Sequence, residues 1–513
     1  MCLCRIYEPP PSRLKLQIET AVQSYGDRNP VFVAISTRVF ESMCGSLFNV
    51  CRGISRARGV ILRNPSTVVL PSRPHKFCVT DKMMEGDEVD DPHFRHLFDG
   101  NTAFNVYKKD IVNLSVGAPG PDLLKNCGKM MLKATEHRTA EEEKEGMHYL
   151  YQYGLTAGLW ECREELSKFL TRRYQDSPVK RENLVLTCGA THGLQLLLTT
   201  ILSPNGVIFV EEVTYMIALD AFRQFPLIRI VTIPMKEKTV DLEAFDRIVE
   251  EEKGRNNYYL SDQKIFWGIF YTIPTYHNPT GMVLPRDKCK MLVEIARKHS
   301  IAVACDDVYN LLHYKEGPPP RRLLAHDSPE DSDYKGGNVI SNGSFSKILS
   351  PAIRLGWIEG PPRVIKILRT SGVLQSGGAL NHYVSGVITS LLELKYADEH
   401  VDLLQRTYAE RLAAVCDTFD RYLPRCCSYD KPEGGYFVWI TLPPECDASE
   451  FMKWCSEKYK VTAIPGSRFS NTGEAKNFLR LSFSFHPVET LRDAAQKLCE
   501  GMLDYVRNHM KKP

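Results

Sequence analysis

From about residue 110 onward, short apolar runs with the period of a strand alternate with segments of helical period. Ile111 to Val116 reads as a short strand. Leu159 to Tyr174 places Leu159, Leu166, Phe169 and Leu170 at helical spacing, with charges between them. Leu184 to Thr187 reads as a strand and Gly189 to Ile201 as a helix. The alternation continues with a strand at Val207 to Val210, a helix at Tyr215 to Phe225 and a strand at Ile228 to Ile233. Lys264 to Tyr271 is apolar enough to be buried on both faces. Lys288 to His299 reads as a helix and Ile301 to Cys305 as the next strand. Such alternation predicts a mainly parallel sheet sandwiched by helices. Past a break at Gly377-Gly378, a helical region (Val401 to Tyr422) precedes strand-like runs at Gly434 to Ile440, Val461 to Ile464 and Phe478 to Phe483. The expected fold class is therefore α/β, with a large parallel-sheet domain and a smaller α+β C-terminal domain. The expected boundaries are a basic, poorly ordered extension at 1–82, an N-terminal arm and small-domain segment at 83–140, the large domain at 141–376 and the small domain at 377–513.

Composition narrows the class without naming a chemistry. At 513 residues, with 43% hydrophobic and 25% charged, the chain has room for two or three packed units of ordinary globular character. No apolar run reaches membrane-spanning length, so no membrane association is expected. A net charge of +3 carries no nucleic-acid signal. The charge is uneven, however: residues 1–82 hold 12 Lys/Arg against 5 Asp/Glu, or +7, which leaves −4 for the rest. Arginine-rich Arg52-Gly-Ile-Ser-Arg56-Ala-Arg58 is compatible with a mitochondrial presequence, although Glu8, Glu19, Asp27 and Glu41 weaken that reading. The 16 cysteines lack zinc-site spacing, so no metal is expected. With no secretory signal pattern, reduced thiols and a cytoplasmic location are expected.

The candidate chemistry lies at strand ends, where open α/β sheets bind ligands. Gly189-Ala190-Thr191 follows a strand and opens a helix, whose free N–H groups suit a phosphate. Tyr215 can stack on a flat ring. Asn278, in His277-Asn-Pro-Thr-Gly281, offers an amide donor. Asp306 can pair with a protonated ring nitrogen, and Tyr309 can donate its phenol. Ser344-Phe-Ser346-Lys347, with Arg354 seven residues on, places an amine beside two hydroxyls and a guanidinium. Lysine forms imines with aldehydes, and pyridoxal 5'-phosphate (PLP) presents both an aldehyde and a phosphate. Each motif alone also fits a plain turn, a packing aromatic or a solvated charge. All five in order match different edges of one cofactor.

This series resembles the fold-type I PLP-dependent aminotransferases of class I/II over roughly residues 92–510. The nearest likeness is to the kynurenine/2-aminoadipate branch, through Gln152-Tyr153, Ala157-Gly158, the Asn278 turn, Ser344 to Lys347 and Phe478-Leu-Arg480-Leu-Ser-Phe-Ser. The resemblance implies an aspartate-aminotransferase-like fold in which Lys347 links to PLP as an aldimine and then shuttles the proton. It implies that Asp306 faces the ring nitrogen, Asn278 and Tyr309 the ring oxygen, and Tyr215 the ring face. Gly189, Ala190, Thr191, Ser344, Ser346 and Arg354 would hold the phosphate. Arg480 would bind the substrate carboxylate, with Gly117 and Asn278 beside it on the substrate side. Tyr153 would reach the phosphate of a neighbouring subunit, which implies a homodimer. Ala190-Thr191 stands where many members have Ser-Gln. The implied activity is ping-pong transamination between an aromatic or 2-aminoadipate-like amino acid and a 2-oxo acid such as 2-oxoglutarate. The same residues also suit a β-lyase, a synthase or a decarboxylase. Aminotransferase-like transcription regulators form a further alternative, but no helix-turn-helix pattern appears in residues 1–82, so no nucleic-acid partner is expected.

Overall fold

The computed structural model describes residues 110–146 and 148–509. The expectation for the 1–82 extension, and the part of the 83–140 arm that falls on residues 83–109, lie outside the described residues.

The first described strand, β1 (Val112–Asn113), is shorter than Ile111 to Val116 had suggested. The main sheet is built from β2 (Leu184–Thr187), β3 (Leu202–Glu211) and β4 (Arg229–Ile233). A small hairpin follows, β5 (Met235–Lys236) with β6 (Thr239–Val240). The main sheet resumes with β7 (Phe266–Thr272), β8 (Ala302–Asp306), β9 (Val339–Ser344) and β10 (Gly356–Glu359). Its order is β2-β10-β9-β8-β7-β3-β4. Only β10 runs antiparallel to its neighbours, so the sheet is mainly parallel as expected.

Period-2 alternation explains why these strands are apolar throughout. Ile208 and Val210 of β3 face one core, shared with Leu194 and Leu197 of the Ala190–Thr200 helix. Val207 and Phe209 face the other, shared with Phe245 and Leu292 of the helices Leu242–Arg255 and Arg286–His299. A parallel sheet covered on both faces needs such strands. A buried ion cluster pins one edge. Arg322 is fully buried between Asp176 (2.9 Å) and Glu359 of β10 (2.5 Å).

The C-terminal sheet contains β11 (Ser428–Tyr429), β12 (Phe437–Thr441), β14 (Ile464–Pro465) and β15 (Phe478–Ser482), ordered β11-β12-β15-β14. The single strand predicted at Val461 to Ile464 divides in two. Its first part, β13 (Val461–Thr462), pairs instead with β1 in parallel. The strand predicted from Gly434 starts at Phe437, because Gly434 and Gly435 close against Tyr276. A Cβ at Gly434 would lie 2.3 Å from the Tyr276 ring, and Gly435 has φ +73°. The sequence reading passed over the helices Cys127–Glu145 and Val488–His509. The first buries only Cys127, Ala134, Arg138 and Glu142, so it shows little apolar stripe.

Candidate active site

The carboxyl ends of β3, β7, β8 and β9 open on one cleft of about 450 Å³. Gly117, Tyr215, Asn278, Tyr309, Lys347, Phe437 and Arg480 line it. Lys347 sits in the turn after β9, and its Nζ donates a 2.6 Å hydrogen bond to the Gly117 carbonyl. Burial pulls its pKa down to about 8; the Arg480 charge reinforces this and Asp306 opposes it. An amine so tuned has a far larger neutral fraction near physiological pH than an ordinary lysine, which a nucleophile needs.

Asp306 ends β8. Its Oδ2 accepts from the Tyr271 phenol at 2.8 Å, whereas Oδ1 is buried with no partner among the described residues. Burial pushes this carboxyl up to about 6, and the Tyr271 hydrogen bond works against that rise. A buried, half-partnered carboxylate is costly unless a cation meets it. Tyr271 was not singled out from sequence, because it falls inside an apolar run that reads as packing. Burial pushes the Tyr215 phenol up to about 12. It also raises the Tyr309 phenol, and a hydrogen bond with Asn278 pulls the other way.

Arg480, on β15, is 2% exposed. Its Nη1 donates to Asn278 Oδ1 at 2.9 Å, and Nη2 donates to the Ser115 carbonyl. The guanidinium lies 4.1 Å over the Phe437 ring, and Nε is buried without a partner among the described residues. Burial pulls its pKa down to about 10. No carboxylate among the described residues pairs with it, so the buried cation suits an incoming anion.

A second anion cradle forms where β2 turns into the Ala190–Thr200 helix. Gly189 caps that helix with φ +82°, and a Cβ there would come within 3.2 Å of Arg354 Nη2. The Asn342 amide holds the first turn by donating to the Ala190 carbonyl at 2.8 Å. Thr191 is exposed on that turn. Ser344 Oγ donates to Ser346 Oγ at 3.0 Å, and Arg354 Nη1 reaches Ser346 Oγ at 3.5 Å. Arg354 has φ +49° and forms no ion pair among the described residues. Helix N–H groups, two hydroxyls and an acid-free guanidinium together suit a dianion.

The residues present therefore fit PLP. The anion cradle suits its phosphate, the bare Asp306 oxygen a protonated ring nitrogen, and the Lys347 amine an aldehyde. The structure brings every sequence-derived candidate to this region except Tyr153. That side chain is 77% exposed, and its ring lies over Gly377 away from the cleft.

Residues 109–498 match the model for aminotransferase class I and II. The chain belongs to that family, and it is a PLP-dependent aminotransferase of fold type I near the kynurenine/2-aminoadipate branch. Aromatic-amino-acid aminotransferase 1 of Thermococcus litoralis is 29% identical over 410 residues, which span 79% of this chain and 90% of that protein. The kynurenine aminotransferase of Pyrococcus horikoshii, solved with PMP, is 26% identical with TM-score 0.66, covering 79% and 93%. The α-aminoadipate aminotransferase of Thermus thermophilus, solved with N-(5'-phosphopyridoxyl)-L-leucine, is also 26% identical, with TM-score 0.64, covering 78% and 94%. The HTH-type regulator YisV of Bacillus subtilis, itself uncharacterized, is 27% identical over 401 residues, or 77% of this chain and 74% of that protein.

Proposed function

We propose that the chain transfers the amino group of an aromatic or 2-aminoadipate-like L-amino acid to a 2-oxo acid such as 2-oxoglutarate. The observation that carries this reading is the Lys347 amine, lowered to about 8, placed beside an unpartnered Asp306 oxygen and an acid-free Arg480. When bound, PLP supplies an aldehyde for the amino group and a ring that accepts electrons from the substrate Cα. Arg480 holds the substrate α-carboxylate through its planar fork, with Gly117 alongside. Asn278 steadies Arg480 and, with Tyr309, faces the cofactor's ring oxygen. Tyr215 would cover the ring face, and Asp306 would keep the ring nitrogen charged. Gly189, Ala190, Thr191, Ser344, Ser346 and Arg354 hold the phosphate. With PLP bound, Lys347 would serve as the general base for the substrate Cα proton and then as general acid.

Leu124, Met216, Ile217 and Phe485 also line the cleft, which favours a large apolar side chain on the donor. The exposed aromatics Tyr151, Tyr153 and Tyr383 support a homodimer in which Tyr153 completes a neighbour's site. The cysteines among the described residues are free thiols, which supports a cytoplasmic location. No helix among the described residues is long and apolar enough to cross a membrane.

Lys347→Ala tests the assignment. The variant should lose both the visible absorbance of lysine-linked cofactor and turnover, whereas transamination near the wild-type rate would refute it. The similarity to YisV favours a second reading, an aminotransferase-like transcription regulator. Specific DNA binding by the intact chain, without transamination, would select that reading. Steady release of ammonia or CO₂ without a 2-oxo acid would instead select lyase or decarboxylase chemistry.

A further inference from the structure

Behind the cleft, a fully buried tyrosine touches the lysine from below. The Tyr436 hydroxyl donates to the backbone carbonyl of Lys347 at 2.9 Å. Its ring face lies 5.7 Å from Lys347 Nζ. The same hydroxyl is 3.2 Å from the Tyr408 hydroxyl, and the two rings meet edge to face at 5.1 Å. On its other side Tyr436 meets Tyr309 at 5.5 Å, again edge to face. The next residue, Phe437, lies beneath Arg480. Tyr436, just before β12, and Phe437, its first residue, thus support the amine and the carboxylate-binding cation.

Gly434 and Gly435 make this approach possible. Side chains there would collide with the Leu312 carbonyl and with Tyr276. Tyr408 is held in turn on the Tyr396–Tyr422 helix, where Arg411 lies 5.7 Å from its ring and donates to the Ser484 carbonyl and Asp122. A buried carbonyl without a donor is costly, so this hydroxyl fixes where the Lys347 backbone sits.

We propose that Tyr436, backed by Tyr408, is the positioning residue for Lys347: it anchors the lysine carbonyl and supports the aliphatic stem so that Nζ stays aimed at the reacting atoms. The inference rests on the reading of Lys347 as the catalytic lysine. It assigns a task to a residue that never reaches the cleft. A small displacement of a reacting group is enough to slow chemistry without weakening binding.

Tyr436→Phe keeps the ring and removes only the hydroxyl. Per bound cofactor, kcat should fall about tenfold while the donor KM changes little, in keeping with lost alignment. The cofactor-free variant should also attach PLP more slowly, as read by absorbance, with circular dichroism near wild type and a thermal midpoint lowered by the unsatisfied carbonyl. Normal kcat per bound cofactor, accompanied only by lower stability, would overturn the proposal, as would a raised KM with unchanged kcat. If Tyr436→Phe does not fold, Tyr408→Phe decides the matter: a fall in kcat at constant KM supports the relay, and wild-type kcat overturns it. Wild-type behaviour of the tyrosine variants alongside an inactive Lys347→Ala sinks this inference and spares the function. An active Lys347→Ala sinks both.

Discussion

Asp306 shows how one side chain trades stability for chemistry. In the folded, cofactor-free chain its pKa is raised from 3.8 to about 6. Between those values the folded state holds a proton that the unfolded state releases. Its stabilising contribution is therefore complete below about pH 4 and is lost as the pH rises through 6. At pH 7.5, Asp306→Asn should stabilise the cofactor-free protein by up to roughly 3 kcal/mol, the equivalent of about two pKa units. The gain should vanish near pH 4, and transamination should collapse. Urea unfolding of both proteins across this range checks it; a variant less stable at pH 7.5 would contradict the account. Lys347 shifts the other way, from 10.5 to about 8. The unfolded state binds the extra proton between those values, so this group's penalty is relieved as pH rises from 8 to 10.5. The rate of PLP attachment should climb through about pH 8 and then level off; a climb continuing toward 10.5 would show an ordinary lysine.

At the scale of elements, the anion cradle depends on backbone contact between β10 and the Gly189 turn. A Cβ at Gly356 would lie 2.5 Å from the Gly343 carbonyl and 2.9 Å from the Gly189 Cα. Those backbone atoms cannot swing aside as a side chain can. Gly356→Ala should therefore push the glycine turn off Arg354 and weaken PLP affinity at least tenfold, with overpacking costing about 1–3 kcal/mol. Dialysis against buffer and cofactor titration would reveal it, and unchanged retention would refute the coupling. The site's parts were legible because each motif is a short string at or soon after a strand's end. Gly189 to Thr191, Asn278, Asp306 to Tyr309 and Ser344 to Lys347 all carry their chemistry locally. Tyr271 and Tyr436 were not, since only the folded backbone brings a phenol to Asp306 or to the Lys347 carbonyl. The same limit explains β13 and β14. One apolar run supplies both, and hydrophobicity does not say which partner each half takes. The antiparallel β10 was also missed, because Gly356-Trp-Ile-Glu359 sets a glycine and an acid around two apolar residues and shows no apolar run.

For the whole molecule, every residue proposed to hold cofactor or substrate lies at or beyond Gly117. A chain starting at residue 83 should therefore bind PLP and transaminate like the full chain. Lost cofactor absorbance on removing residues 1–82 would show that the basic segment serves the site directly. Tyr153, with 77% of its surface exposed, should become useful only in a dimer. Sedimentation should give twice the 58.3 kDa chain mass, and Tyr153→Ala should lower PLP affinity without dissociating that dimer. The central claim is that Lys347 surrenders its bound cofactor to an incoming amino acid. The most direct test mixes the PLP-loaded chain with single amino acids, no 2-oxo acid present, and follows the absorbance of lysine-linked cofactor. Aromatic donors should convert that band to pyridoxamine phosphate with release of the matching 2-oxo acid, and 2-oxoglutarate should restore it. A band that no amino acid converts would contradict the account.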